Sequence, residues 1–202
     1  LKILVDRDAW VFNMMYSVTF GGFIGLASFL PTLFHDHYDI PKQSVGWYVT
    51  LGVLAASGLR VVGGWAADKI GGLRLLYGLF AIILICTLGA ATMPESPWVM
   101  AFAVALAMGA MGAGNGAVFQ LVPLRFRAET AVAGSLIGEV GALAGGFLPN
   151  AMGLGKQHFD SFAPGFLAGV ALTVCSVAVL ALLSRKWTHT WVGEGGKAHA
   201  ET

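Results

Sequence analysis

The chain has 202 residues, 56% of them hydrophobic and 11% charged, with a formal net charge of +1. A water-soluble domain carries about 25% charged residues, so this composition excludes one and requires a protein embedded in a bilayer. The near-neutral total names no partner, and nucleic acid is not expected among them; the lipid bilayer is.

The opening LKILVDRD forms a short lead-in, residues 1–8, before the first apolar run. That run is too long for the apolar core of a signal peptide. The first residue is Leu1, not Met, which suggests a fragment or an internal start. Six apolar segments follow, at 9–34, 44–66, 72–92, 97–123, 130–153 and 164–184, separated by HDHYDIPKQ, ADKIG, PES, RFRAET and GKQHFDSFA. Each reaches the length of about 20 residues that a membrane-spanning helix needs. Continuous apolar runs predict helices, because the strands of a membrane barrel alternate. The expected fold is therefore all-α: a polytopic membrane bundle over 9–184 and a disordered tail at 185–202. Trp187 and Trp191 of the tail are expected at the membrane interface.

Six spans place both termini on one side. That side collects nine cations, Lys2, Arg7, Lys69, Arg74, Arg125, Arg127, Arg185, Lys186 and Lys197, against Lys42 and Lys156 on the other. Lys and Arg mark cytoplasmic loops, so both termini are predicted to be cytoplasmic in a cell membrane protein.

In the second segment, Arg60 is the one charge between Gly46 and Trp65. An arginine at mid-helix depth costs about 2.5–3.5 kcal/mol on insertion scales, so it normally faces a polar cavity or a partner. A cation in a water-lined interior suits a carrier of small anions. The alternative is a structural arginine paired with Glu139 or with backbone carbonyls.

The 28 glycines concentrate inside the segments. In the fifth, Gly134, Gly138, Gly141 and Gly145 step by 4, 3 and 4, which puts them on one helical face that another helix can approach closely. The fourth carries Gly109, Gly112, Gly114 and Gly116. Cys86 and Cys175 lie in apolar runs with no disulfide or zinc spacing. His35, His37 and His158 read as solvated loop residues, so no metal is expected. No nucleotide loop, metalloprotease motif or nucleophile constellation is present, and neither an enzyme nor a cofactor is expected.

The break after the second segment, Gly64-Trp65-Ala66-Ala67-Asp68-Lys69-Ile70-Gly71-Gly72-Leu73-Arg74, resembles the G-x-x-x-D-[RK]-x-G-x-x-[RK] loop signature of the major facilitator superfamily. Gly64 and Gly71 allow close approach and a tight turn, while Asp68, next to Lys69, can cap a helix or pair with a cation across an interface. Within that superfamily, Gly112-Ala113-Gly114-Asn115-Gly116-Ala117-Val118-Phe119-Gln120 resembles the GxGNGxxFQ stretch of the nitrate/nitrite porters. Gly134 to Pro149 is similar to the family's glycine-rich nitrate signature, and Tyr16 to Gly25 to its seventh helix. Such porters have twelve spans in two pseudo-repeated halves with the substrate between them. The resemblance implies that this chain corresponds to helices seven to twelve: a fragment, a split subunit or one protomer of a homodimer.

The resemblance also implies roles. Arg60 is the substrate arginine, whose planar, permanently charged fork holds a flat oxyanion. Tyr16 and Phe20, four residues apart, line the site, Tyr16 as a hydrogen-bond donor and Phe20 as an aromatic wall beside nitrate or nitrite. Asn115 finds its partner in the substrate or in a second helix. Gln120 is expected at the periphery or the interface. Glu139 departs from the signature, since a carboxylate repels an anion. It either pairs with Arg60, fills a packing position, or carries a proton coupled to anion import. The implied function is nitrate/nitrite transport by alternating access. A carrier of a different small anion, a non-transporting regulatory half and a six-span channel are the alternatives.

Overall fold

The computed structural model describes residues 2–198. Six helices are long and apolar enough to cross a membrane: α1 (Arg7–Tyr38), α2 (Lys42–Ile70), α3 (Gly72–Ala91), α4 (Pro97–Arg125), α5 (Thr130–Phe159) and α6 (Ala163–Thr188). No strand occurs among the described residues. In hydrocarbon every backbone N–H and C=O needs a partner within the chain, and a continuous helix supplies one.

The breaks follow local chemistry. α1 stops at Asp39, which takes the left-handed conformation (φ 52°), and Pro41 then precedes the first residue of α2. α2 stops at Gly71, whose φ of 99° is strained for any residue with a Cβ. Pro97 starts α4, where its missing N–H is no loss. α5 ends at Asp160, again left-handed (φ 51°).

α4 is the central post. About two-thirds (67%) of its apolar stretch is enclosed by the rest of the chain, against 17% for α2 and 22% for α6. It packs along α2 on one side and α3 on another, while α6 lies against α3 and the second half of α5. The α4 glycines make the α2 contact possible. A Cβ on Gly112 would collide with the Ala56 backbone, and one on Gly116 with the Arg60 carbonyl and the Gly64 backbone. Both pairs step by four residues, so two helix edges run side by side at backbone contact.

Two helices are irregular where they meet. α1 contains a π-helical turn at Ser17–Gly21, and α5 a 3₁₀ turn at Ala144–Gly146. Gly21 of the first lies against the Gly141 carbonyl and Ala144 of the second, while Gly145 faces Ile24. The expected glycine face is therefore used in part. Gly141 and Gly145 admit α1, Gly134 lies beside Phe119, and a Cβ on Gly138 would meet no other helix within 4 Å among the described residues.

The expected disordered tail is corrected for residues 185–198; 199–202 lie outside the described residues. α6 continues to Thr188, and Trp187 is only 1% exposed. Its ring stacks on Phe12 (5.3 Å), Trp191 packs against both (6.0 and 5.2 Å), and Val192 is buried. Trp187 Nε1–H donates to Asp8 Oδ1 (2.9 Å). Arg125, at the end of α4, bonds Asp8 (2.5 Å) and Asp6 (2.8 Å), so α1, α4 and α6 are joined at the basic end. Apolar area in the two tryptophans fixes a segment that polarity alone would leave free.

Candidate functional site

The π turn begins directly after Tyr16 and contains Phe20. A π turn widens the helix beyond four residues per turn, so side chains four apart fall nearly in line. The Tyr16 and Phe20 rings accordingly stack with centroids 5.1 Å apart and planes 26° from parallel. Phe119 of α4 meets Tyr16 edge-on at 5.1 Å, and Gly141 of α5 admits the Tyr16 ring where any Cβ would collide. Three helices thus fix one tyrosine, which is 2% exposed.

Arg60 reaches this cluster from α2. Its Nη2–H donates to the Tyr16 hydroxyl (3.3 Å), and its guanidinium carbon lies 5.6 Å from the Phe20 ring centroid. Gly116 brings the Arg60 backbone against α4 and so sets how deep the guanidinium sits. The arginine remains exposed in this chain, and no carboxylate pairs with it among the described residues. A permanent cation with free N–H donors beside an aromatic wall is suited to a flat anion. An open cavity of about 780 Å³ between α1 and α2 is lined by Thr32, His35, Lys42, Thr50 and Val53. Val49, Val53, Ser57 and Arg60 step along one face of α2, so the cavity wall leads to Arg60 about 10 Å further on.

The other expected residues are placed as follows. Asn115 is buried on α4 one turn from Phe119, and its Oδ1 has no partner, so no hydrogen bond from that atom joins a second helix. Glu139 is exposed on α5 and forms no ion pair with Arg60, which corrects that pairing. Asp68 and Lys69 are exposed, and Asp68 neither caps a helix nor pairs with a cation among the described residues. Gly64 faces Gly116, Gly114 admits Thr19, and Gly71 makes the turn. Gln120 Nε2–H reaches the Gly196 carbonyl at 3.5 Å, an interfacial position within the chain.

Three features escaped the sequence reading. Phe119 forms the third aromatic wall, although it lies in the stretch already singled out. Asn13, three residues before Tyr16 on the same helical face, is buried with both amide atoms unpartnered. Its signal was a lone amide in an apolar run. The π turn had no signal in residue type.

A sequence profile described as the Major Facilitator Superfamily matches residues 1–149. The chain is 30% identical to the "Probable nitrate/nitrite antiporter NarK1" of Thermus thermophilus, over 94% of this chain and 48% of that protein. It is also 30% identical to the "Nitrite extrusion protein" of Bacillus subtilis, over 90% of this chain and 46% of that one. To the "Probable nitrate/nitrite transporter NarK2" of Mycobacterium tuberculosis it is 32% identical, over 88% and 45%. The chain spans about half the length of these relatives, and its six-helix bundle corresponds to half of the superfamily's fold. With six apolar spans, this profile match and these relatives, the chain is a multi-pass membrane protein of the major facilitator superfamily and belongs to its nitrate/nitrite porters.

Proposed function

We propose that this chain is the C-terminal half of a nitrate/nitrite carrier that works by alternating access, with Arg60 as half of the cationic clamp on the anion. The observation that carries the reading is Arg60 itself, paired with no carboxylate among the described residues and held by Tyr16 against the Phe20 wall. A permanent charge at this depth is costly unless an anion or water meets it. The remaining N–H donors of the guanidinium bind nitrate or nitrite in its plane, and Phe20 excludes water from one face of it. Tyr16 and Phe119 keep the guanidinium from swinging. Asn115 lies one turn from Phe119 and offers a polar contact to the anion.

The partner is the missing six-helix half, or a second copy, seated on the faces that hold polar residues out of this bundle. α2 exposes Thr50, Ser57 and Arg60 there, and α5 exposes Ser135, Glu139 and Asn150. Asp68 and Lys69 are then free to engage that partner when the halves rock. Both termini lie on the cytoplasmic side, by the excess of Lys and Arg at that end. The protein is a carrier and not an enzyme.

The test is uptake of radiolabelled nitrate into proteoliposomes holding this chain alone, with a complementary six-span half, or with Arg60→Ala in the pair. Uptake that needs both halves and disappears in the variant supports the reading. Uptake by the chain alone makes it a homodimer. No uptake in a folded pair, with a different anion competing in a binding panel, moves the substrate elsewhere.

A further inference from the structure

The exposed helix faces divide into two kinds. Those of α2 and α5 mix apolar residues with Thr50, Ser57, Arg60, Ser135 and Glu139. Those of α3 and α6 expose no charged or amide side chain from Gly78 to Gly89 and from Leu167 to Leu182, and neither helix contributes a residue to the Arg60 cluster. On α3 the exposed stripe runs through Gly78, Ala81, Ile82, Ile85 and Leu88, at helical spacing; on α6 it runs through Leu167, Val174, Ala178 and Leu182. An apolar stripe free of polar atoms faces acyl chains.

Both stripes end at the basic end of the bundle in cations. Arg74 continues the α3 stripe, Arg185 and Lys186 continue that of α6, and the His189 imidazole follows them. Between them lies a cavity of about 300 Å³ whose wall also includes Tyr77, Ser184 and Thr188. The Tyr77 hydroxyl and Ser184 Oγ, 3.1 Å apart, join the two helices there. α3 is 20 residues long, about 30 Å, which matches the hydrocarbon thickness and puts Arg74 of its first turn at headgroup depth. Arg185 has no ion pair among the described residues, and Arg74 holds only Glu194 (3.0 Å), whose side chain is 89% exposed. That pair is screened by solvent and easily exchanged.

We propose that the groove between α3 and α6 binds the headgroup of an anionic phospholipid in the leaflet at the basic end. The phosphate sits between Arg74 and Arg185, against the wall formed by Tyr77, Ser184 and Thr188, and the acyl chains follow the two stripes. Glu194 competes with the lipid for Arg74 and so acts as a weak cover. A basic pocket between helices at this depth selects lipid charge, at about fivefold in affinity per arginine. A soluble phosphate has no use for the stripes, which is why the lipid is the favoured source.

The experiment uses the whole carrier containing this chain, in non-ionic detergent, titrated with dioleoylphosphatidylglycerol or dioleoylphosphatidylcholine and read by native mass spectrometry. One tight phosphatidylglycerol adduct is expected. Arg74→Gln and Arg185→Gln each weaken it about fivefold. Glu194→Gln strengthens it, a gain that a misfolded variant does not produce. Arg127→Gln, at the same end but outside the groove, leaves it unchanged. Equal affinity for the two lipids, or wild-type affinity in both arginine variants, overturns the proposal. Displacement of the lipid by millimolar inorganic phosphate overturns its lipid part and leaves a soluble-anion site. Binding requires no transport, so the result stands apart from the nitrate assay.

Discussion

Arg60 presents a planar guanidinium fork, and among the described residues its hydrogen bond goes to a tyrosine hydroxyl. Replacing it with Ala removes the cation beside the Phe20 ring, and nitrate uptake by the assembled carrier is expected to fall to background. Arg60→Lys keeps the charge but loses the planar fork. Hydrogen bonds to a charged group are worth about 1.5–3 kcal/mol, so the affinity read by nitrate titration should drop at least about tenfold. Glu139 makes the opposite case. It is exposed and unpaired with Arg60, so Glu139→Gln should leave anion affinity unchanged. If Glu139 carries the coupled proton, the same variant loses uptake driven by a pH gradient while nitrate counterflow persists. Retained pH-driven uptake ends the proton assignment.

Helix contacts turn on which glycine meets what. Gly116 lies against the Arg60 carbonyl, so Gly116→Ala must push α2 away from α4. Overpacking of this kind costs about 1–3 kcal/mol, to be read as a lowered thermal midpoint in detergent together with weaker nitrate binding. Gly138 sits in the matching signature but meets nothing within 4 Å in this chain. Gly138→Ala there gains about 1 kcal/mol of helix propensity, and any loss of uptake it causes locates the partner half on that face. The terminal hook makes a third prediction. Trp187 stacks on Phe12 and bonds Asp8, so Trp187→Ala should cost about 3–5 kcal/mol in thermal unfolding and loosen residues 187–197 to proteolysis.

Across the bundle, burial is uneven. α4 is wrapped by its neighbours, while α2 exposes Arg60 and a row of apolar residues that include Val61 and Trp65. A face of this kind facing lipid would place a bare guanidinium in hydrocarbon. Co-expression with a complementary half should therefore shield Arg60, and a reporter probe on a cysteine placed at Ser57 should lose water accessibility when the halves assemble. Unchanged accessibility argues against an interface on this face. The apolar faces of α3 and α6 should show no such change, since lipid contacts them in either state.

The six spans and the loop glycines were legible in the amino-acid order, because hydrophobicity over about 20 residues and the residue types that permit a turn are local properties. The spans differ from expectation at their ends, where α1 runs to Tyr38, α2 to Ile70, α5 to Phe159 and α6 to Thr188. Arg60, Tyr16 and Phe20 could be named because a charge or an aromatic pair stands out in an apolar run. Their geometry could not. The π turn that stacks Tyr16 on Phe20 lies where Gly141 and Gly145 admit α1, residues more than 120 positions away. Phe119 joined the site, Glu139 stayed outside it and Trp187 left the expected disordered tail for the core for the same reason. Each outcome depends on which helix faces come together, and long-range packing carries no signature in any single segment.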